Sequence, residues 1–225
     1  MSDINSLLKT LDNYSSCDVG DALRTLGVKG GYLPGLKVRT SIKNPKLIGR
    51  AYTVELVDAK DKESEVYKND LHWMDTVGEG QVVVIKAPLN LPNAVFGGLM
   101  GARAVNLGAL GAVISGNIRD TRELEELGLK VYSHGTSSLG AKNFSRPSKV
   151  NQTLVISPPS GIEYEPTEVN PNDVVVADED GVCIIPFNLL SQVLDQCEKS
   201  TQVDGKCLAD IQSGKSIAEA FATHR

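Results

Sequence analysis

FGGLMGARAVNLGALGAVISGNIRDTRE, from Phe96 to Glu123, is the stretch around which the fold of this chain is organised. The pair Gly97-Gly98 precedes a helical pattern from Leu99 to about Leu107. The apolar run 112–114 then predicts a buried strand that ends near Ile118. Helix start and strand end thus belong to one β-α-β unit. Ligands of open α/β sheets bind where strand ends meet helix starts, so we expect the active site here.

Three charged residues follow this predicted strand: Arg119, Asp120 and Glu123. Arginine grips a carboxylate or phosphate through two parallel hydrogen bonds. Aspartate is a hard oxygen ligand of the kind that binds magnesium or manganese. The cluster therefore predicts an anion site beside a divalent cation at Asp120. The same residues also fit a solvated helix start, because acids are favoured there and Glu123 stands at capping-box spacing from Asp120.

The glycine pair supplies the second half of the predicted site. The first amides of a helix have no partner inside the helix and carry partial positive charge. We therefore expect a substrate carboxylate or phosphate at the amides of Gly97, Gly98, Leu99 and Met100.

Four motifs in chain order carry a resemblance to a known family. They are SCDVGDAL at 16–23, GRAYT at 49–53, Gly98 followed after twenty residues by Arg119-Asp120-x2-Glu123, and DEDGV at 178–182 with Pro186. The third fits the pattern G-x20-R-D-x2-[E/D]. Together the motifs resemble the RraA-like family, which includes the class II 4-hydroxy-4-methyl-2-oxoglutarate aldolases.

The element order by itself predicts one compact α/β domain. The resemblance adds a β/β/α sandwich of the swivelling phosphohistidine-domain type over residues 1–225. Helices within 2–26 and 188–221 are expected to pack on this sandwich. The resemblance also implies a homotrimer or homohexamer with sites near subunit boundaries.

The activity that the resemblance implies is a metal-dependent lyase. Such an enzyme cleaves a 4-hydroxy-2-oxo acid to pyruvate and decarboxylates oxaloacetate, and both reactions build charge on a pyruvate enolate. A divalent cation at Asp120, magnesium or else manganese, would polarise the oxo acid, and no organic cofactor is implied. Arg119 would neutralise the developing oxyanion, the amides of 97–100 would hold the carboxylate, and Glu123 would orient Arg119 or a metal-bound water.

Two departures from the family pattern bear on that activity. Bacterial aldolases often carry an acid where Gly98 stands, and the Gly-Gly-Leu-Met variant is associated with fungal members. The aldolases also use an acid from the neighbouring subunit's C-terminal region, for which Glu198 is the candidate. The general base is not identified by the sequence.

Two other functions remain open at this point. The bacterial founder of the family binds ribonuclease E and inhibits RNA processing, so a non-catalytic protein-binding regulator is the alternative. The complete R-D-x-x-E set favours the enzyme, since a pure adaptor has no physical reason to keep it. A metal-independent sensor of oxo acids would need Arg119 and the glycine amides but not Asp120.

Composition limits the remaining classes. The 225 residues are 41% apolar and carry a net charge of −5, which argues against a nucleic-acid surface. No apolar run is long enough to cross a bilayer, and the first residues lack a secretion-signal pattern. The four cysteines are scattered, as expected for free thiols in a reducing cytosol. A cytoplasmic protein without membrane or nucleic-acid partners is therefore expected.

Local patterns predict the other elements. Strands are expected at 47–57, 81–87, 129–133 and 182–186, a strand- and turn-rich region at 141–177, and terminal helices broken near Ser213-Gly214. The second N-terminal helix is expected to have Asp18 or Ser16 as N-cap, and another helix is predicted at about 66–74. Within that helix we expect Trp73 to pack on the sheet, although His72 and Trp73 also fit a pocket wall.

Three further features are weighed against the predicted site. Gly78-Glu79-Gly80 lacks the third glycine and the following helix of a dinucleotide loop. His134, near a strand end, is a secondary candidate for proton transfer. Lys86 is not a candidate, because the implied reaction needs no Schiff-base lysine.

Overall fold

The computed structural model describes residues 4–225 as a mixed α/β fold. The helices are α1 Ile4–Thr10, α2 Ser16–Thr25, α3 Gly98–Asn106, α4 Thr121–Glu126, α5 Leu190–Gln212 and α6 Ile217–His224. The strands are β1 Lys37–Val38, β2 Leu47–Asp58, β3 Gln81–Lys86, β4 Ala94–Phe96, β5 Gly111–Ile118, β6 Lys130–Thr136, β7 Ser145–Val150, β8 Leu154–Ile156, β9 Thr167–Val169, β10 Val174–Ala177 and β11 Val182–Ile185. Among the helices of the described residues, none is long and apolar enough to cross a membrane.

Nine strands form one sheet in the order β1-β6-β5-β3-β2-β10-β11, with β4 paired to β5 and β7 to β2. The four central strands β2, β3, β5 and β6 are parallel to one another. Their carboxyl ends therefore lie on one edge of the sheet, and the short strand β4 joins β5 at that edge. Strands β8 and β9 form a separate two-stranded sheet.

Alternating side chains of the central strands separate the two sides of the sheet. On β3, Val83 and Ile85 pack in a core that includes residues of α3 and α4. Val82 and Val84 point to the other face, into a core that includes residues of β8 and β9. Successive side chains of a strand point to opposite faces, so a run that is apolar throughout indicates a sheet covered on both sides. The result is the expected β/β/α layering.

The terminal helices cover a third core against β10 and β11, built from residues such as Leu11, Val19 and Val193. The two expected N-terminal helices and the break between α5 and α6 are confirmed over the described residues; positions 2 and 3 lie outside them. The predicted N-cap of α2 is wrong. Ser15 caps the helix, because its hydroxyl accepts from the Asp18 amide while the Asp18 carboxylate accepts from the Ser15 amide.

The helix predicted at about 66–74 is also wrong. This segment contains no α-helix, and only a 3-10 turn at Trp73–Thr76 overlaps its last two residues. Asn69 accepts from the Leu71 amide and Asp61 from those of Glu63 and Ser64. Such side-chain bonds compete with helix formation, and the helical spacing of apolar residues did not outweigh them. Trp73 nevertheless packs in the core, as expected.

Candidate functional site

The backbone brings both halves of the predicted site together. Strand β4 runs parallel to β5, and the Arg119 amide, just after β5, donates to the Phe96 carbonyl at 2.9 Å. Gly97 and Gly98 follow β4 directly, so the start of α3 lies beside the start of α4. Residues more than twenty positions apart in sequence therefore meet at one edge of the sheet.

Asp120 is held between the two helix starts. Its backbone is left-handed, with φ of 55°, an uncommon conformation that aspartate tolerates better than most residues. The carboxylate accepts from the Gly98 amide at 3.1 Å and lies 3.2 Å from Arg119 Nε. A Cβ at position 97 would lie 2.7 Å from Asp120 Oδ2, so only glycine at this position allows the approach.

Glu123 fills the space that a side chain at position 98 would need. A Cβ on Gly98 would lie 1.8 Å from Glu123 Oε2. The carboxylate of Glu123 therefore rests directly against the start of α3. Gly98, at which bacterial aldolases often carry an acid, therefore lies against an acid of α4, Glu123.

The free donors at this site are fewer than the sequence predicted. The Gly98 amide is engaged by Asp120, whereas within residues 4–225 the amides of Gly97, Leu99 and Met100 at this helix start lack an acceptor. Among the described residues Arg119 forms an ion pair with Asp120 alone, through Nε, and its terminal nitrogens make no hydrogen bond. These groups remain available to an anion from solution.

A cavity of about 270 Å³ opens beside these groups. Its apolar wall consists of residues from several elements: Leu56, Trp73, Val95, Phe96, Met100 and Pro147. Its polar wall consists of His72, Arg119, Asp120 and Ser145. One charged side and one apolar side are typical of sites for small organic anions.

The structure distributes the predicted site residues unevenly around this cavity. It places Gly97, Leu99, Met100, Arg119 and Asp120 in the lining, whereas Gly98 and Glu123 lie against each other outside it. Leu99 is 80% exposed at the mouth.

Sequence reasoning gave no site role to Ser145, which comes from an antiparallel strand, or to Pro147. His72 and Trp73 were named only as an alternative pocket wall. The alternative interpretation of His72 and Trp73 as a pocket wall is therefore the sequence signal that could have identified this part of the lining.

The secondary candidates lie elsewhere. His134 lines a different cavity, next to Gly35 and Asn117. Burial lowers its pKa, the Gly35 backbone opposes this and the Arg39 charge adds to it. Lys86 lies 2.7 Å from Glu55, so it is held as a charged partner, which agrees with its exclusion as a Schiff-base lysine.

Glu198 is an exposed residue of α5, and the side-chain amide of Gln202 donates to its carboxylate at 3.4 Å. It is absent from the lining of the Arg119 cavity.

The donor set suits a water-rich cation site. Residues 4–225 contain no group of three or more His, Cys, Asp or Glu side chains arranged to hold a metal. Asp120 supplies a carboxylate at the cavity, and Glu123 a second one behind Gly98. Magnesium binds with one or two protein carboxylates and completes its shell with water and substrate oxygens, so these residues fit that ion.

Comparisons with known proteins agree with this architecture. A crystal structure of an uncharacterized protein from Pseudomonas syringae pv. tomato is similar, with a TM-score of 0.81 at 26% identity, covering 97% of this chain and 94% of that one. Streptomyces coelicolor RraAS2, described as an unusual member of the RNase ES inhibitor RraA family, shares the fold with a TM-score of 0.72 at 21% identity, covering 93% and 96%.

Comparison with curated proteins also finds relatives over most of this chain. Protein DlpA of Legionella pneumophila is 26% identical over 96% of this chain, which spans only 33% of that protein's length. A putative 4-hydroxy-4-methyl-2-oxoglutarate aldolase of Halalkalibacterium halodurans is 27% identical over 72% of this chain and 70% of its own. A family model described as RraA-like, Aldolase/RraA, matches residues 16–184. With three-quarters of its length matched by this model, the chain belongs to the RraA-like family.

Proposed function

We propose that this protein is a divalent-metal-dependent lyase that cleaves 4-hydroxy-4-methyl-2-oxoglutarate and related 4-hydroxy-2-oxo acids to pyruvate. We propose that it also decarboxylates oxaloacetate. The observation that carries the proposal is the meeting of the Arg119 guanidinium, the Asp120 carboxylate and the start of α3 at one small cavity.

Both reactions pass through the same kind of anion. In the retro-aldol reaction a base removes the proton of the 4-hydroxyl, the C3–C4 bond breaks, and its electron pair forms the enolate of pyruvate. In the decarboxylation, carbon dioxide leaves oxaloacetate and the same enolate remains. Protonation at C3 then gives pyruvate. A site that stabilises the enolate oxygen therefore serves both reactions.

The protein's own groups match these needs. The terminal nitrogens of Arg119 carry positive charge to the cavity, and the amides of Leu99 and Met100 can hold the substrate carboxylate. Glu123, whose carboxylate lies against Gly98 at the start of α3, would orient Arg119 or a metal-bound water. Asp120 would hold the magnesium or manganese ion, which supplies Lewis-acid polarisation of the 2-oxo group when bound.

The family resemblance extends the proposal to assembly and location. We propose a homotrimer or homohexamer in the cytoplasm, with a small oxo acid as the ligand. Light scattering coupled to size-exclusion chromatography tests the assembly, since a monomer would contradict it.

The decisive experiment measures pyruvate release from both substrates with magnesium, with EDTA, and with the Asp120→Asn variant. This variant keeps the size of the side chain and an oxygen for the Gly98 amide but removes the charge that a cation needs. We expect turnover to disappear with EDTA and to fall at least about a hundredfold in the variant. Asp195→Asn, which alters an exposed acid of α5, is the matched control and should keep full activity.

Each result has a clear consequence. Metal-dependent turnover that Asp120→Asn abolishes supports the lyase, and the better substrate defines the subclass. Release no faster than magnesium alone produces would contradict the lyase and favour a protein-binding regulator. Turnover that survives both EDTA and Asp120→Asn would contradict the metal site.

A further inference from the structure

His72 lines the cavity and has a hydrogen-bond donor that the lyase proposal does not use. Its ring lines the same cavity as Arg119 and Asp120. Nδ1 accepts from the Met74 amide at 3.2 Å, as the side-chain cap of the 3-10 turn Trp73–Thr76. A ring nitrogen that accepts a hydrogen bond carries no proton, so the neutral ring carries its proton on Nε2. Within residues 4–225 no group accepts from that Nε2.

The turn behind His72 is fixed to the body of the protein. Trp73 is 5% exposed, and the Tyr52 hydroxyl donates to its carbonyl at 2.7 Å. Asp75 accepts from Arg103 Nε of α3 at 2.6 Å. The ring of His72 also lies against that of Trp73, with centroids 5.1 Å apart. The donor is therefore held in place before any ligand arrives, which lowers the entropic cost of using it.

The rest of the lining offers little to a second acidic group of a substrate. Arg119 is the one formally cationic residue among those that line the cavity, and Asp120 carries the opposite charge. Ser145 accepts from the Asn93 side-chain amide at 3.1 Å, and its hydroxyl proton is another neutral side-chain donor of the lining. For a substrate that places one carboxylate near Arg119, the Nε2–H of His72 and the Ser145 hydroxyl are therefore neutral side-chain donors that remain in the lining.

We propose that His72 is a specificity-determining residue that donates from Nε2 to the distal carboxylate of a five-carbon 2-oxo diacid. Arg119 and the α3 amides bind the oxo-acid end of the same molecule. This inference rests on the proposed function, because it identifies the second end of the substrate that the lyase would take.

The test compares two unreactive ligands that differ only at the distal carbon. 2-Oxoglutarate ends in a carboxylate and 2-oxopentanoate in a methyl group, and neither has the 4-hydroxyl that a retro-aldol cleavage needs. Titration calorimetry in magnesium buffer measures both dissociation constants for the wild type, His72→Asn and His72→Ala. We expect the wild type to bind the diacid at least about tenfold more tightly, since a hydrogen bond to a charged group is a strong one. This preference should vanish in both variants.

His72→Asn is the matched variant. Asparagine is a favoured capping residue whose side-chain oxygen can still accept from the Met74 amide, but it removes the imidazole Nε2–H. Its thermal unfolding should match that of the wild type, whereas His72→Ala also removes the cap. A purely structural role of His72 would weaken both ligands equally in the alanine variant and neither in the asparagine variant.

Three results would overturn the inference: no diacid preference in the wild type, the same preference in His72→Asn, or binding of neither acid. Measurements of lyase turnover distinguish failure of this inference from failure of the proposed function. A wild-type protein that prefers the diacid but shows no lyase turnover would refute the proposed lyase function alone. Normal lyase activity with no role for His72 in the preference would refute the inference alone.

Discussion

Asp120 and Asp178 are acids of two motifs of the same chain, and the structure gives them opposite surroundings. Asp120 lies at the cavity with its side chain 33% exposed, where it contacts one amide and one guanidinium nitrogen. Asp178 is buried and accepts from the amide and hydroxyl of Ser16 and from the Asp180 amide, at 2.5 to 3.1 Å. Its carboxylate joins the start of α2 to the turn between β10 and β11.

This difference distinguishes an acid that can act in chemistry, Asp120, from one that stabilises the fold, Asp178. A buried carboxylate with three donors is committed to the fold, because every ligand or solvent molecule that displaced them would leave buried groups unpaired. An exposed carboxylate next to unused donors can bind a cation or a substrate. Motif membership alone does not distinguish the two acids, since both stand in segments that resemble the same family.

Arg119→Ala gives the largest effect expected on the chemical side of this comparison. The variant removes the positive charge that faces the developing enolate, so kcat should fall about 10²- to 10³-fold while the free energy of unfolding hardly changes. Coupled detection of pyruvate measures the rate. The matched control is Arg122→Ala, whose side chain is 91% exposed on α4 and should leave kcat unchanged. Equal losses in both variants would contradict the assignment of Arg119.

Asp178→Ala tests the architectural side. Three donors lose their acceptor, so we expect the free energy of unfolding to fall by about 3 kcal/mol, with kcat/KM unchanged where the protein is folded. Urea denaturation measures the first quantity. The neighbouring exposed Asp180→Ala should cost less than about 0.5 kcal/mol. A large loss of kcat in folded Asp178→Ala would break the comparison, because it would give the buried acid a part in the chemistry.

Two glycines of α3, Gly98 and Gly101, allow the same comparison of chemical and structural roles within one helix. A Cβ on Gly101 would lie 2.3 Å from Cδ2 of the buried Leu124, so Gly101→Ala should destabilise the fold by about 1–3 kcal/mol. A Cβ on Gly98 would meet the end of the flexible, exposed Glu123 side chain, which can swing into solvent.

Gly98→Ala should therefore change the free energy of unfolding by less than about 0.5 kcal/mol but reduce kcat about tenfold. Thermal unfolding and pyruvate release on both variants separate the two effects. The reverse order of stability losses would show that Glu123 is held as firmly as Leu124.

The smallest expected effect concerns His134, in the second cavity. Burial lowers its pKa in the folded state, the Gly35 backbone opposes this and the Arg39 charge adds to it. Below the ordinary value near 6.5 the unfolded chain binds a proton that the folded chain resists. The stability should thus be full above that pH and fall as the pH drops through the folded pKa. His134→Asn should flatten this part of a urea-denaturation profile, and an unchanged profile would contradict a neutral buried ring.

Much of the fold follows from local pattern. The buried strands β3 and β5 contain the apolar runs 82–85 and 112–114, and glycines mark the end of the helix between them. The segment before Trp73 could not be predicted in this way, because hydrogen bonds from backbone amides to aspartate and asparagine side chains replaced a helix that the spacing of apolar residues favoured. Ser15 was missed as N-cap because Ser15, Ser16 and Asp18 all have suitable side chains, and only the backbone geometry selects one.

The sequence by itself determined the family, the α/β class and the identity of the Arg119-Asp120-x2-Glu123 cluster, because these depend on residue type and on short-range spacing. Only the tertiary structure decided which donors remain free, that Glu123 occupies the space beside Gly98, and that His72 faces the same cavity as Arg119. Those facts depend on contacts between segments distant in the chain. Their distances are set by how strands pair and helices pack, which no local pattern specifies.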